Sequence, residues 1–357
     1  MASELKGLVL SGGAGTRLRP ITHTSAKQLV PVANKPVLFY GLEALREAGI
    51  TDVGIIVGDT RDEIEAAVGD GSRFGLAVTF IPQSAPLGLA HAVLTAEEFL
   101  GDSPFVMYLG DNLLRDGISG LVGEFRASTC DAMILLQHVP EPQHYGVAEL
   151  DDGRVVRLVE KPKEPKSDLA LVGVYMFTPA ILESAKAIEP SWRNELEITD
   201  AIQHMVDRGL RVEPHVVTGW WKDTGQLEDM LEANRLVLDV IGHRVEGEVV
   251  ESTIEGRVVI EPGARLVRSA VRGPAIIGDG AVIEDSYIGP YTAISAGCTV
   301  RRAEVEHSIL LEGSRVEDLD ARVESSLVGR HAQITRSGAM PRAYRFLVGD
   351  ASVIGLI

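Results

Sequence analysis

The sequence predicts an α/β domain followed by a solenoid of short parallel strands, and two patterns indicate this. Up to about residue 241, short apolar runs alternate with segments of helical period. After about residue 245 the helical period disappears, and aliphatic residues return at every sixth position between turns that contain glycine or proline. We therefore divide the chain into a first domain at 1–241 and a repeat domain at 242–357.

The first domain is predicted to contain a Rossmann-like, mostly parallel sheet with helices on both faces. Between the first two strands, Leu38, Leu42, Leu45 and Ala48 recur at helical spacing and form one apolar stripe. Strands that alternate with such helices imply right-handed crossovers within one sheet. The predicted strands lie at residues 7–10, 53–57, 78–81 and 105–109.

The repeat domain is predicted to be a left-handed parallel β-helix. A period of six matches neither an α-helix nor a flat strand, so a triangular solenoid with one hexad on each side explains it best. Stacked coils would bury the aliphatic residues in columns, and two gaps of ten residues would be loops that leave the prism. A β-sandwich with regular turns is the alternative. The repeated residues are Ile254, Ile260, Leu266, Ile276, Val282, Ile288, Ile294, Val300, Leu310, Val316, Val328 and Ile334.

Charge and composition limit the partners of the chain. Acidic residues number 51 against 34 lysines and arginines, and the resulting net charge of −17 disfavours a nucleic-acid partner. A few well-placed cations can still bind small phosphorylated ligands in a cleft. Cys130 and Cys298 lack the spacing of a zinc site or disulfide framework. We see no signal peptide and no apolar run near about 18 residues, and therefore expect a cytoplasmic protein without a membrane segment.

A glycine-rich loop, SGGAGTRLRP, follows the first predicted strand at residues 11–20. Its glycines do not complete a dinucleotide fingerprint, and the loop lacks the closing lysine of a Walker A sequence. Glycines after a buried strand let the backbone approach a ligand, and their N–H groups can face phosphate oxygens. Arg17, Arg19 and the downstream Lys27 would add positive charge around one polyphosphate. The alternative is a tight turn with solvated arginines.

The segments GGAGTRLRPIT and KQLVPVANKP together resemble the signature of the sugar-1-phosphate nucleotidylyltransferase family. The order of the two domains is similar to that of the long-form thymidylyltransferases in this family, whose C-terminal part is a left-handed β-helix. The resemblance extends from Gly7 to about Ile334. It implies transfer of a nucleotidyl group from dTTP to glucose 1-phosphate and release of pyrophosphate. The solenoid is expected to cap the catalytic domain or to build a homo-oligomer through a flank of the prism. The implied product, dTDP-glucose, commonly serves deoxysugar biosynthesis.

The same resemblance assigns residues to the nucleotide. Arg17 and Lys27 are expected to hold the β- and γ-phosphates, which leave as pyrophosphate. Gln83, in FIPQSAPLGLAHA, resembles the family's pyrimidine reader, and a glutamine amide offers the donor and the acceptor that an imide-bearing base requires. The residues expected along the nucleotide are Leu10, Gly12, Gly13, Gln83 and Gly88.

Two aspartates are candidates for a magnesium site. Asp111, in YLGDN, comes directly after the fourth predicted strand, where ligands of open α/β sheets bind. Asp223, in GWWKDTG, is the candidate for a second carboxylate. Because Mg²⁺ prefers a few carboxylates together with phosphate oxygens and water, two aspartates and a triphosphate form a suitable set. Either aspartate alone is more simply interpreted as a turn or cap residue.

The sugar phosphate is assigned by resemblance to the segments YGVAEL, VEKP, VGVYMF and WRNELEITD. Glu160 is expected to accept hydrogen bonds from sugar hydroxyls, and Lys161 and Arg193 to bind the acceptor phosphate. Asn194 stands where the family commonly has a glycine, so the resemblance does not determine the backbone beside Arg193. The assigned residues are Tyr145, Gly146, Glu160, Lys161, Gly173, Tyr175 and Arg193.

These assignments predict an in-line displacement at the α-phosphorus without a covalent enzyme intermediate. The main electrostatic barrier is the repulsion between two phosphate-bearing reactants, and the acceptor phosphate needs no strong general base. Mg²⁺ held by Asp111 and Asp223 is expected to offset this repulsion, together with the cations Arg17, Lys27, Lys161 and Arg193.

Three other functions stay open on the sequence. UTP could replace dTTP, or N-acetylglucosamine 1-phosphate could be the acceptor, because one methyl group contributes only about 1–3 kcal/mol of discrimination. The β-helix could be an acyltransferase, with His307 or His331 as candidate residues. The chain could also be a non-catalytic relative that binds nucleotide sugars, although the expected phosphate and metal residues are all present.

Overall fold

The fold is that of a computed structural model, which describes residues 4–13, 15–23, 25–336 and 344–355. Contacts divide these residues into two units. The first contains 4–13, 25–29 and 37–223, and the second contains 15–23, 30–36, 224–336 and 344–355. Two short N-terminal segments therefore group with the C-terminal part of the chain, whereas the division at residue 241 follows sequence patterns and stays a prediction.

The elements up to residue 238 are the following. The strands are β1 (Lys6–Leu10), β2 (Pro31–Val32), β3 (Lys35–Pro36), β4 (Asp52–Val57), β5 (Ala77–Pro82), β6 (Phe105–Leu109), β7 (Asn112–Leu114), β8 (Ala132–His138), β9 (Gly146–Asp151), β10 (Arg154–Glu160), β11 (Leu169–Phe177), β12 (Val212–Val216) and β13 (Trp221–Asp223). The helices are α1 (Val37–Glu47), α2 (Arg61–Val68), α3 (Leu89–Thr95), α4 (Glu97–Leu100), α5 (Ser119–Ala127), α6 (Ala180–Ala187), α7 (Ile198–Asp207) and α8 (Leu227–Leu238). Short 3₁₀ turns occur at Thr16–Leu18, Ile21–His23, Lys27–Leu29, Ser72–Phe74 and Pro142–His144.

The first unit is built on one mixed sheet. Strands β5, β4, β1 and β6 are parallel neighbours in this order. Strand β11 then lies antiparallel to β6, and it also pairs with β9 and with β8. The sheet ends at β10 beside β9 and at β12, which is parallel to β8. The predicted parallel core is therefore confirmed, and β11 adds antiparallel pairing to it.

Helices cover both faces of this sheet, as predicted. Val9 of β1 packs into a cluster with α1, α2 and α5, whereas Leu8 and Leu10 pack into a second cluster with α3, α6 and α7. This alternation follows from the two-residue period of a strand. The predicted apolar stripe of α1 faces the first cluster: Leu38, Leu42 and Leu45 are fully buried there.

The second unit contains a left-handed parallel β-helix, which confirms the predicted fold class. Its strands stack in three parallel sheets, in the orders β14-β17-β20-β23-β26-β29, β15-β18-β21-β24-β27-β30 and β16-β19-β22-β25-β28. The strands are β14 (Arg244–Val245), β15 (Glu248–Val250), β16 (Thr253–Glu255), β17 (Val258–Ile260), β18 (Arg265–Val267), β19 (Ala270–Arg272), β20 (Ala275–Ile277), β21 (Val282–Glu284), β22 (Tyr287–Ile288), β23 (Thr292–Ile294), β24 (Thr299–Arg301), β25 (Glu304–Glu306), β26 (Ile309–Leu310), β27 (Arg315–Glu317), β28 (Val323–Glu324), β29 (Leu327–Val328) and β30 (Gln333–Thr335).

The predicted inward register is right at Ile288, Ile294 and Val300, which are fully buried in the β-helix core. It is wrong by one position in the coil before them. There the inward residues are Ile277 and Ile283, and the predicted Ile276 instead packs outward in the cluster of α8. The predicted Val282 precedes the inward Ile283 on β21 and is partly exposed.

The two predicted loops at the ten-residue gaps are also wrong. Val271 and Val305 lie within these gaps, and both side chains are buried inside the prism. The reason is the length of the coil, since Arg265 pairs with Val282 and Val282 with Thr299, each step being 17 residues. A triangular coil of this length has one side of five residues, so a strict period of six slips at that side.

Helix α8 packs on one flank of the β-helix through a small apolar cluster and one buried amide. Asn234 is fully buried, its Oδ1 accepts from the Ala33 backbone N–H at 2.9 Å, and its Nδ2 donates to the Tyr291 carbonyl at 2.9 Å. The amide therefore joins the β2–β3 hairpin, α8 and a β-helix corner. The buried members of the cluster are Ala33, Leu238, Val259, Ile276 and Ala293.

Among the helices of residues 4–13, 15–23, 25–336 and 344–355, none is long and apolar enough to cross a membrane. The cytoplasmic location expected from the sequence stays a prediction.

Replacing Ile283 by alanine tests the inward register. Because this side chain is fully buried, its loss should reduce the free energy of unfolding by about 2–5 kcal/mol. Val282→Ala is the control on the same strand, where a partly exposed side chain should cost less than about 1 kcal/mol. Denaturant unfolding of both variants measures the difference, and an equal or larger loss for Val282→Ala would contradict the register.

Candidate active site

A short two-stranded ribbon brings the predicted metal aspartates together. Asp111 follows β6, and β7 begins at the next residue. Strand β7 pairs antiparallel with β13, and Asp223 lies opposite Asn112 in this register. The ribbon therefore holds two carboxylates that are far apart in sequence beside each other at the carboxyl end of β6.

Lys27 lies between these carboxylates. It is 8% exposed, its Nζ donates to Asp111 Oδ2 at 2.5 Å, and the same atom is 3.8 Å from Asp223 Oδ1. Burial of Asp111 favours its neutral form, but the charge and hydrogen bond of Lys27, together with the Asn112 and backbone hydrogen bonds, hold the pKa of Asp111 below its usual value. Both aspartates are therefore arranged around a cation.

The donor set fits a hard divalent cation. Two carboxylates face one point, and the Lys27 ammonium already occupies a cation position there. Across the described residues, no group of three or more His, Cys, Asp or Glu side chains is arranged to hold a metal ion. Further ligands would thus be phosphate oxygens and waters, which is the usual way in which Mg²⁺ is bound beside a nucleotide.

Asn112 positions Asp111, and sequence reasoning missed it. Its side chain is buried, its Nδ2 donates to Asp111 Oδ1 at 2.9 Å, and its Oδ1 accepts from Trp221 Nε1 at 2.5 Å. A Cβ atom on Gly173 would lie 2.6 Å from Asn112 Oδ1, so only glycine leaves room for this amide. The signal was available, since Asn112 and Trp221 stand within one or two positions of the two aspartates.

The sugar side of the predicted site is a cluster around Glu160. Arg193 Nη1 lies 3.4 Å from Glu160 Oε1, and Lys161 Nζ lies 3.8 Å from the same oxygen. Thr199 Oγ1 donates to Glu160 Oε2 at 3.1 Å. The structure therefore brings three of the residues assigned to the sugar and its phosphate, Glu160, Lys161 and Arg193, into one group.

Glu197 is a second carboxylate in this cluster, and it too was missed. It is 3% exposed, it accepts from Ser191 Oγ at 2.8 Å, and its Oε1 lies 3.4 Å from Arg193 Nη1. Burial and the nearby charge of Glu197 raise the pKa of Glu160, against the opposing effect of Lys161 and Arg193. Glu197 and Thr199 both lie in ELEITD, a segment that the resemblance already assigned to the sugar phosphate, so their position in it could have indicated them.

Left-handed backbone shapes the loops of the cluster. Asn194 has φ 61°, so it adopts the conformation that a glycine would favour at this position. Lys161 has φ 42°, and its N–H donates to the Tyr145 carbonyl at 3.0 Å. A Cβ atom on Gly146 would lie 2.5 Å from Thr199 Cγ2, so this glycine permits the close approach of α7.

Two assigned residues lie in the core. Tyr175 is 4% exposed and its ring stacks on Phe177, with centroids 5.9 Å apart. Burial raises the pKa of Tyr175, and the charge of Glu160 adds to this effect. Leu10 is also buried, and its carbonyl accepts from the Gly110 N–H at 2.9 Å. The roles assigned to both residues by resemblance stay predictions.

The residues assigned to the base lie close to one another. A Cβ atom on Gly12 would lie 3.4 Å from Gln83 Oε1, and Gln83 Nε2 is 2.8 Å from His91 Nδ1. His91 therefore restrains the orientation of the amide. Gly88 has φ 105° and lies directly against the Leu196 backbone, so a side chain there would collide with the Leu196 carbonyl.

Arg17 lies outside the first unit, because contacts divide the glycine loop between the two units. Gly12 and Gly13 belong to the first unit, whereas Arg17 lies on the turn Thr16–Leu18 in the second, with an exposed side chain. A Cβ atom on Gly13 would be 3.8 Å from Gln28 Nε2. The convergence of Arg17 with Lys27 and Asp111 stays a prediction.

Glu160→Gln tests the electrostatics of the sugar side. A carboxyl whose pKa is raised on folding favours the folded state most at pH below its unfolded pKa of about 4.5, and this contribution is lost as pH rises through the folded-state pKa. The glutamine variant should therefore be more thermally stable than the wild type at pH 7, with the gain disappearing at about pH 4.

Thermal unfolding at both pH values measures this difference. Glu141→Gln, at an exposed carboxyl, is the control and should change the midpoint little. A variant of Glu160 that is less stable at pH 7 than at pH 4, relative to the wild type, would contradict the sign.

The chain is similar to known proteins over most of its length. Residues 6–240 match the model of the family described as nucleotidyl transferase. A glucose-1-phosphate thymidylyltransferase of Streptomyces antibioticus is 60% identical over 353 residues, which cover 98% of this chain and 99% of that protein.

Two crystal structures are also similar. One, from Bacillus anthracis, is provisionally named a glucose-1-phosphate thymidylyltransferase and contains sucrose; its TM-score is 0.63 at 36% identity, over 68% of this chain and 98% of that one. The other is a UDP-glucose pyrophosphorylase with UDP-glucose, whose TM-score is 0.59 at 28% identity, over 67% of this chain and 99% of that one. The resemblance inferred from the sequence motifs is confirmed, and the chain belongs to the nucleotidyl transferase family.

Proposed function

We propose that this chain is a glucose-1-phosphate thymidylyltransferase, which joins dTTP to glucose 1-phosphate with Mg²⁺ and releases pyrophosphate. The observation that carries the proposal is the pair of aspartates around one cation at the carboxyl end of β6. A relative of nearly the same length that shares 60% of its residues bears this name. The site offers what such a reaction needs, since it combines a metal-binding carboxylate pair with separate cations for a second phosphate.

The first task of the site is to bring two anions together. Asp111 and Asp223 would hold Mg²⁺, which when bound withdraws charge from the α-phosphate. Lys161 and Arg193 would bind the acceptor phosphate, and Lys27 the departing pyrophosphate. Because the acceptor oxygen is already anionic, the residues act by positioning and by charge, and none has to remove a proton.

The second task is to select the sugar. Glu160 is 18% exposed at its side chain and is held by Thr199 and Arg193, so its carboxylate has a fixed direction. It would accept hydrogen bonds from sugar hydroxyls. A buried carboxylate rejects a sugar that lacks the matching hydroxyl, because its charge would then lose a partner.

The third task is to recognise the base. Gln83 offers one N–H and one carbonyl oxygen to the edge of a thymine or uracil ring, while His91 restrains the amide. Gly12 and Gly88 keep the neighbouring backbone free of side chains. Since the two bases differ by one methyl group, UTP is the second candidate donor, and the similar UDP-glucose pyrophosphorylase favours keeping it.

The role of the β-helix stays a prediction. A homo-oligomer formed through its flank, and an acyltransferase activity that uses His307 or His331, are both untested by the geometry. The proposal therefore concerns the nucleotidyl transfer alone.

Asp111→Ala and Arg17→Ala should each lower kcat by about 10²- to 10³-fold. Asp111→Ala removes a ligand of the proposed Mg²⁺, and Arg17→Ala removes a cation expected to stabilise the departing phosphates. Pyrophosphate release with dTTP, glucose 1-phosphate and Mg²⁺ measures the loss, and circular dichroism checks folding. Asp151→Asn, an exposed carboxyl at the end of β9, is the control and should keep wild-type activity. Near-normal turnover by Asp111→Ala would rule out the proposed metal site.

The donor nucleotide should be dTTP, with UTP accepted less well. Discrimination between the two should stay within about 10- to 200-fold in kcat/KM, as expected for one methyl group in a hydrophobic contact. ATP and GTP should release little pyrophosphate, since Gln83 matches an imide edge. The assay compares four triphosphates at fixed glucose 1-phosphate, and a purine preference would show that Gln83 does not read the base.

A further inference from the structure

The side chain of Lys27 is assigned two different positions, one in the structure and one in the proposed reaction. In the structure the Lys27 ammonium lies between Asp111 and Asp223, where it acts as their counter-ion. In the proposed reaction the same ammonium binds the phosphates that leave, while the two aspartates bind Mg²⁺. The ammonium and the metal ion cannot occupy the position between the two carboxylates at the same time, so they compete for it.

The two carboxylate oxygens of Asp111 have different partners, and only one of these partners can be exchanged for a metal ion. Asp111 Oδ1 accepts from Asn112 Nδ2 at 2.9 Å, and Asp111 Oδ2 accepts from Lys27 at 2.5 Å. Asn112 is fixed, because it is buried, receives the Trp221 N–H and abuts Gly173. The partner that can leave is therefore Lys27, whose long side chain can turn about several bonds.

The burial of Asp111 and Asp223 explains why the metal-free protein needs a counter-ion between them. Asp111 and Asp223 have side chains only 22% and 30% exposed, and two such carboxylates without a counter-ion would repel each other in a poorly solvated site. Lys27 removes this cost in the metal-free protein. A metal ion that enters alone must displace the ammonium from Asp111 and brings no phosphate for it to bind.

We infer that Lys27 is a positioning residue that exchanges between the metal carboxylates and the phosphates of the nucleotide. The inference rests on the proposed function, because it requires a nucleoside triphosphate in the site. When metal and triphosphate enter together, the metal takes Asp111 and Asp223 while the ammonium moves to the phosphates. Metal and nucleotide therefore bind with positive coupling, and metal alone binds weakly.

Metal binding without turnover tests the exchange. Mn²⁺ is titrated by calorimetry into the wild type and into Lys27→Gln, with and without the non-hydrolysable α,β-methylene analogue of dTTP. Without nucleotide, Lys27→Gln should bind Mn²⁺ about 5- to 150-fold more tightly than the wild type, which is the usual range of such coupling. With the analogue the order should reverse, because only the wild type retains a cation for the phosphates.

Two further variants separate exchange from a general charge effect. Arg115→Gln removes an exposed cation four residues beyond Asp111 and should change Mn²⁺ affinity by less than about 2-fold, as expected for a screened surface charge. Lys27→Arg keeps a cation beside Asp111 and should bind Mn²⁺ alone as weakly as the wild type. Lys27→Met, which also removes the charge, takes the place of Lys27→Gln if that variant fails to fold.

Two results would overturn the exchange. Tighter Mn²⁺ binding by Lys27→Gln both with and without the analogue would mean that the ion pair is static. Equal Mn²⁺ binding by the wild type, Lys27→Gln and Lys27→Arg would mean that the ammonium does not compete. Either can occur in a chain that releases pyrophosphate normally, whereas a chain that shows the reversal but no pyrophosphate release would instead refute the proposed function.

Discussion

The candidate site depends on the attraction between Lys27 and the carboxylates of Asp111 and Asp223. The β7–β13 ribbon fixes the two aspartates beside each other. A cation between them offsets the repulsion of the two carboxylates. Lys27, on the turn Lys27–Leu29, supplies this cation. Geometry that suits a divalent metal is thereby maintained by the protein's own charge.

The metal side and the sugar side are joined by a chain of contacts. Asn112 receives the Trp221 N–H, and the Trp221 ring meets the Tyr145 ring edge-on with centroids 5.3 Å apart. The Tyr145 carbonyl accepts from the Lys161 N–H, which follows Glu160. These contacts orient the residues assigned to the metal relative to those assigned to the sugar, which suits the proposed in-line displacement.

Local patterns predicted most of the fold, and the failure in the β-helix has a physical cause. Six-residue sides turn through glycines such as Gly280 and Gly297, which are visible as turn signals and have positive φ. Five-residue sides turn instead through Arg268, Asp285 and Arg302, with φ 45–49°. Arginine is not a typical residue of left-handed turns, so Arg268 and Arg302 give no turn signal in the sequence. Contacts between coils, such as Arg268 to Asp285 at 2.7 Å, hold them in place.

Motifs predicted which residues gather in the site, but not how their charges are paired, because roles taken from a resemblance refer to a complex with phosphates. Within the described part of the first unit, each cation assigned to a phosphate contacts a carboxylate of the site: Lys27 meets Asp111, and Lys161 and Arg193 meet Glu160. In the proposed reaction, phosphate binding would exchange one anionic partner of each cation for another, so these cations would not have to be stripped of a full shell of water. This explains how a chain of net charge −17 can bind two polyanions, since the local pairing and not the total charge determines the cost.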